Sequence, residues 1–326
     1  MKAIKFFAIS AMAAAMITSC SSEDELSQSN YPSDNIIRVT AGVNNAKTRA
    51  EGAGTEMKND FSLTIVNKNA SKYTYTDKVF SKKSGDWACS ETLLWQKSDA
   101  LVDIVAFAPA QTGKFNGVYA EGSIQPITYS VADDQSTKSD NNDLLYYYAP
   151  GFNPGKSLVD KKLNIQFNHA FCMIDIVVTL GTEFNKPEVL KESPIVKVTL
   201  GGTKIAANVD VTNAASVVTA SETDAATDIT TTKGSFDKAA NAEANAKSHF
   251  SCIAIPQTVA GKTFKVSLMT AGKRYEWTSA EPVELKSGYR YTLKLSMGND
   301  VVLLKGGSIS ATPWTEITSD KPLETE

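Results

Sequence analysis

The sequence is poor in histidine, in closely spaced cysteine and in charge of one sign. Only two histidines, His169 and His249, occur in 326 residues, so a metal centre or triad built on imidazole is poorly supplied. The four cysteines, Cys20, Cys89, Cys172 and Cys252, lack the spacing of a disulfide framework or a zinc site. The 33 basic and 36 acidic side chains leave a formal net charge of −3. That balance offers no electrostatic footprint for nucleic acid or an anionic membrane. Aspartates cluster at Asp133-Asp134 and between Asp140 and Asp143, without the Asp-x-Asp-x-Asp-Gly spacing and distal Glu of a calcium loop. They read as solvated loop. No catalytic residue, metal or cofactor is expected, and the chain reads as a non-enzyme.

What is present begins with the N-terminus. Lys2 and Lys5 precede an apolar run from Phe6 to Ile17, interrupted by Ser10. A run of about 12 residues is too short to span a bilayer as a helix and reads as a secretory signal peptide, residues 1–19. Ile17-Thr18-Ser19-Cys20 resembles a lipobox, which makes Cys20 the acylated first residue of the mature chain. An ordinary signal peptide with an incidental Cys is the alternative. Residues 20–35 open with Ser21-Ser22-Glu23-Asp24-Glu25 and read as an acidic, solvated tether.

An apolar content of 42% with 9% aromatics excludes general disorder. At roughly 100–200 residues per domain, the length suggests two domains. The pattern along the chain is that of strands. Phe61, Leu63 and Ile65 alternate with Ser62 and Thr64; Leu163, Ile165 and Phe167 alternate with Asn164 and Gln166. Phe264, Val266 and Leu268 repeat it, and Tyr289, Tyr291, Leu293 and Leu295 give the clearest case. Ile174 to Leu180 is more continuously apolar, as for a strand covered on both faces. Turns fall at Pro150-Gly151, Gly201-Gly202 and Ser287-Gly288. This is an all-β sandwich class. A boundary near Gly181 to Pro187 divides residues 36–182 from residues 183–326. Residues 206–249, rich in Ala, Thr, Asn and Asp, read as a long loop, with a helical turn or two expected between Asp237 and Lys247. Cys172 and Cys252 read as small core residues; one disulfide among Cys89, Cys172 and Cys252 stays open. His169 reads as a hydrogen-bonded structural histidine, and His249 has no carboxylate partner at a recognisable spacing. The four tryptophans read as core and edge anchors.

A series of short features in fixed order carries a resemblance. It runs through Cys20, the strand Ile36 to Val43, Thr48-Arg49-Ala50, Trp87, Trp95 and Val105-Ala106-Phe107-Ala108-Pro109. It continues through Asp143-Leu144-Leu145-Tyr146, Phe167-Asn168-His169, Gly288-Tyr289-Arg290-Tyr291 and Ile309 to Trp314. The chain resembles the fimbrillin family of Bacteroidetes, the subunits of type V pili, as a precursor lipoprotein like the major fimbrillin. The acidic stretch after Cys20 is similar to the export tag of surface lipoproteins of that phylum.

The resemblance implies two tandem transthyretin-like β-sandwich domains. It also implies a structural pilin, exported to the outer membrane through lipid on Cys20 and cut between Arg49 and Ala50 by an Arg-specific surface protease. The subunit then polymerises outside the cell, with copies of itself or with accessory fimbrillins. The first strand, residues 36–43, is the removable element, with Ile37, Val39, Ala41 and Val43 on its inner face and a polar processing loop over residues 44–54. The donor strand that replaces it in a neighbour is the extension of residues 300–317, with Val301, Val302, Leu303, Leu304, Ile309 and Trp314. Arg49 as a plain loop arginine, and the extension as a final hairpin packed on its own domain, stand beside these readings. So does an uncleaved surface lipoprotein acting as pilus anchor, tip adhesin or binding module.

Overall fold

The computed structural model describes residues 30–44, 55–57, 59–299, 301–304 and 309–314. The signal peptide, Cys20, Arg49, Ala50 and the greater part of the processing loop lie outside the described residues, as do 305–308 and 315–317 of the extension. Apolar alternation becomes burial as expected: Leu163, Ile165 and Phe167 are fully buried, while Asn164 and Gln166 between them are half-buried. The fold is nearly all β, a β-sandwich architecture.

Eight strands make the largest sheet: β1 (Val39–Val43), β2 (Thr55–Glu56), β3 (Phe61–Val66), β4 (Tyr75–Lys83), β5 (Asp86–Cys89), β6 (Val102–Ala108), β7 (Leu145–Phe152) and β8 (Leu163–His169). Their order is β2-β1-β8-β7-β6-β3-β4-β5. The sheet curls until β1 meets β5, and its concave face closes on aromatic rings. The ring of Phe61 lies 5.5 Å from that of Phe167 and 4.9 Å from that of Trp87. Such edge-on contacts suit the ring quadrupole.

A second sheet of six strands contains β9 (Cys172–Leu180), β10 (Thr232–Asp237), β11 (Lys247–Ala254), β12 (Tyr289–Met297), β13 (Val302–Leu304) and β14 (Ser310–Pro313). Strand β9 lies at its centre, antiparallel to β11 and parallel to β12. Facing strands come from a four-stranded sheet that includes Ile195–Gly201 and Lys265–Thr270. The resulting core also takes in Val105 and Phe107 from the far face of β6, so the two cores share a wall.

Four expectations are corrected. Strand β9 belongs to the second sheet, so the change of sheet falls between His169 and Cys172 and not at 181–187. Both β-partners of β9 are distant in sequence, and local apolarity carries no record of them. Residues 206–249 are not one loop: Ala206–Val209, Val218–Ala220, Ile229–Thr230 and β10 are strands. Ala206–Val209 pairs with Ile127–Ser130, whose place the sequence reading put in the first domain. No helix forms between Asp237 and Lys247. Ser62 and Thr64 are buried with their apolar neighbours, because both hydroxyls are satisfied at Asp77. Cys89, Cys172 and Cys252 are free thiols.

Candidate assembly site at the two chain ends

The first strand is inserted and not merely appended. Its buried side chains are Ile37, Val39 and Val43, with Ala41 half-buried and Thr40 exposed. Each fully buried aliphatic side chain contributes roughly 1.5–3 kcal/mol relative to exposure. The strand proper is shorter than residues 36–43, because the chain changes partner at Arg38. Before that point Ile37 N–H donates to the Leu93 carbonyl (2.9 Å) and Trp95 N–H to the Asn35 carbonyl (2.8 Å). After it, β1 runs parallel to β8, from Val39 opposite Leu163 to Val43 opposite Phe167. The end of the expected tether is therefore docked: Pro32 is buried and Tyr31 packs against the first core. An exposed pair closes this entry, with Arg38 Nη2 2.6 Å from Asp34 Oδ2. The guanidinium bond holds the Asp34 carboxyl well below the usual carboxylate range.

Strand β1 ends at Asn44, whose N–H donates to the Phe167 carbonyl (2.8 Å) and whose Nδ2 donates to Asn168 Oδ1 (2.8 Å). Asn44 is also the first residue of the expected processing loop, residues 44–54. On the far side β1 pairs with β2 across two residue pairs and approaches β5.

The C-terminal extension lies on its own domain. Strand β13 pairs antiparallel with Leu295–Met297, and β14 pairs antiparallel with Tyr289–Thr292, so both follow one edge of β12. Val302 is buried, whereas Val301 and Leu303 are 49% and 59% exposed. Ile309 is half-buried and all of β14 is exposed. Trp314 is the outer anchor. It is 8% exposed, its N–H donates to the Gly288 carbonyl (2.7 Å), and its indole stacks on His169 with ring centroids 3.8 Å apart and planes 13° from parallel. Gly288 adopts φ +71°, a conformation open to glycine at little cost.

His169 is held from behind. Its Nδ1 lies 3.0 Å from Asp143 Oδ2, while its Nε2 is buried with no hydrogen-bond partner. The sequence marked His169 as structural but not Asp143 as its partner. His249 likewise has a carboxylate, Asp237 Oδ2 at 2.7 Å, placed across the β10–β11 pairing. Arg290 on β12 is bonded to Asp175 on β9. Asn44, Asn168, His169, Gly288 and Trp314 line one cavity of about 340 Å³, so the end of the first strand and the end of the extension border the same space. Burial raises the Cys172 and Cys252 thiols far above the ordinary value, which leaves neither as a nucleophile. Among the described residues there is no cluster of His, Cys, Asp or Glu able to hold a metal ion.

Known proteins share this architecture. A candidate cell adhesion protein from Bacteroides ovatus superposes with a TM-score of 0.62 at 15% identity, over 86% of this chain and 98% of that one. A fimbrial protein from Bacteroides vulgatus gives 0.53 at 14% identity, over 86% and 99%. At such identities the likeness is one of fold. No curated protein sequence matches the chain. The fimbrillin-like family model matches residues 48–314, the last of which is the stacked tryptophan. By that match the chain belongs to the fimbrillin-like family.

Proposed function

We propose that the chain is a structural subunit of an extracellular fimbria. It is exported as a lipoprotein on Cys20, cut after Arg49 and polymerised when the extension of one copy fills the groove left by the first strand of another. Family membership supports a pilus-related structural or adhesion role at the cell surface. The observation that carries the finer reading is the placement of β1. It fills a buried groove beside β8 by a parallel ladder, so no short hairpin ties it to that partner, and the chain leads from it directly into the segment containing Arg49. Removing it would leave Leu163, Ile165 and Phe167 uncovered along one edge. Such an edge takes an incoming strand by main-chain hydrogen bonds, with alternate side chains entering the groove.

The partners in this reading are further pilin subunits, an Arg-specific surface protease and, before the cut, the outer membrane. No catalytic residue or cofactor is assigned. A second reading, an uncleaved surface lipoprotein acting as anchor, tip or binding module, is favoured by the docking of β13 and β14 on their own sheet. N-terminal analysis of the surface-exposed protein separates the two: Ala50 supports the subunit, acylated Cys20 the anchored protein.

A further inference from the structure

Strand β14 has few holds on its own domain. Every side chain along it is exposed, so it is kept there by backbone pairing, by long hydrogen bonds from the Ser310 and Thr312 hydroxyls to the Thr292 and Arg290 carbonyls, by half-buried Ile309 and by Trp314. Backbone pairing at a sheet edge exchanges with water at little net cost. The large buried surface of an indole does not, and its stacking on an imidazole adds to the hold. The seat of that indole is built from β8. His169 is the last residue of β8, and β8 is zipped to β1 as far as Phe167. Asn44 then binds both Phe167 and Asn168, the two residues directly before His169. The stack therefore sits two residues beyond the ladder that ties β8 to the first strand, where His169 pairs with Leu145 on β7 and the preceding Asn168 is bonded to Asn44. Within the seat, His169 Nε2 is buried without a partner, an arrangement that costs free energy and that water relieves once the indole lifts.

We propose that the Trp314–His169 stack is a latch holding the C-terminal strand on its own sheet, and that the first strand, through Asn44, keeps the latch closed. This rests on the processing reading and adds an order to it: excision of the first strand removes the hold of Asn44 on Phe167 and Asn168, the indole leaves its seat, and only then does the extension become available to another copy. An uncut subunit would keep its donor strand docked, and premature pairing in the periplasm would be suppressed.

Amide hydrogen exchange over β13 and β14 tests this in the full mature chain. Trp314→Ala should accelerate exchange along β14 by about tenfold or more relative to the parent, with the β3 and β9 amides unchanged, and Trp314→Phe should restore most of the protection. To separate the latch from the processing reading, a site-specific protease sequence replaces residues 46–51. The chain is cut there, and the freed first-strand peptide is displaced in mild urea and removed by gel filtration. Exchange along β14 should then rise to the level of the Trp314→Ala chain. An unchanged rate in Trp314→Ala, an unchanged rate after loss of the peptide, or a peptide that leaves only when the whole chain unfolds each overturns the latch. Failure of an Arg-specific protease to cut the parent chain at Arg49 counts against the processing reading alone.

Discussion

Val43 lies opposite Phe167 in a parallel pairing, and this places the end of the first strand beside the end of a strand far away in sequence. A parallel neighbour cannot be joined by a tight turn. Strand β1 is consequently an insert in the first sheet, held by its side chains, by its ladder with β8, by the short pairing with β2 and by the backbone bonds at its entry.

Ile37→Ala should destabilise the intact chain by about 2–4 kcal/mol, the usual cost of emptying a buried aliphatic site. In a chain cut after Arg49 and stripped of its first strand, an added peptide of residues 30–49 should restore stability, and the same peptide carrying Ile37→Ala should restore less. Urea unfolding with and without each peptide, followed by tryptophan fluorescence, measures the difference. Equal restoration by the two peptides, or none by either, would contradict a separable first strand.

Leu303→Asp and Val301→Asp should change the stability of the monomer by about 0.5 kcal/mol or less, since both positions are largely exposed. Both should nevertheless abolish polymers, because large apolar side chains on an open edge mark an interaction surface. Sedimentation after cleavage checks assembly, and thermal unfolding checks the monomer. Wild-type polymer yield from either variant would remove the extension as donor.

Cys172 and Cys252 are buried and their thiols are raised. The unfolded chain loses these protons from about pH 8.5 while the folded chain keeps them. Stability is therefore fully present below that pH and declines as the pH rises above it. The urea midpoint should fall between pH 8 and pH 9.5, and Cys172→Ala with Cys252→Ala should flatten the fall. In native protein, iodoacetamide should label Cys89 in preference to either.

The strands that alternate cleanly were legible in the sequence. Tyr291, Leu293 and Leu295 are buried as their spacing implies and Tyr289 is half-buried; Ile37, Val39 and Val43 are buried and Ala41 is half-buried. What was not legible depends on distant partners. The apolar run of β9 would suit the centre of either sheet, and only pairing with β11 and β12 assigns it. The short strand Ala206–Val209 has the composition of a loop and becomes a strand by pairing with Ile127–Ser130. The contacts of His169 with Asp143 and Trp314 join three separate segments, and no spacing rule announces them. For His249 a local signal did exist: Asp237 precedes it by a distance that a hairpin between two strands brings together.

The most direct test of the account is the N-terminus and assembly state of protein shed from intact cells. Mass spectrometry should find chains beginning at Ala50, and gels of unheated samples should show a denaturant-resistant ladder that disappears in an Arg49→Ala strain. Chains that all begin at acylated Cys20 and migrate as monomers would contradict it.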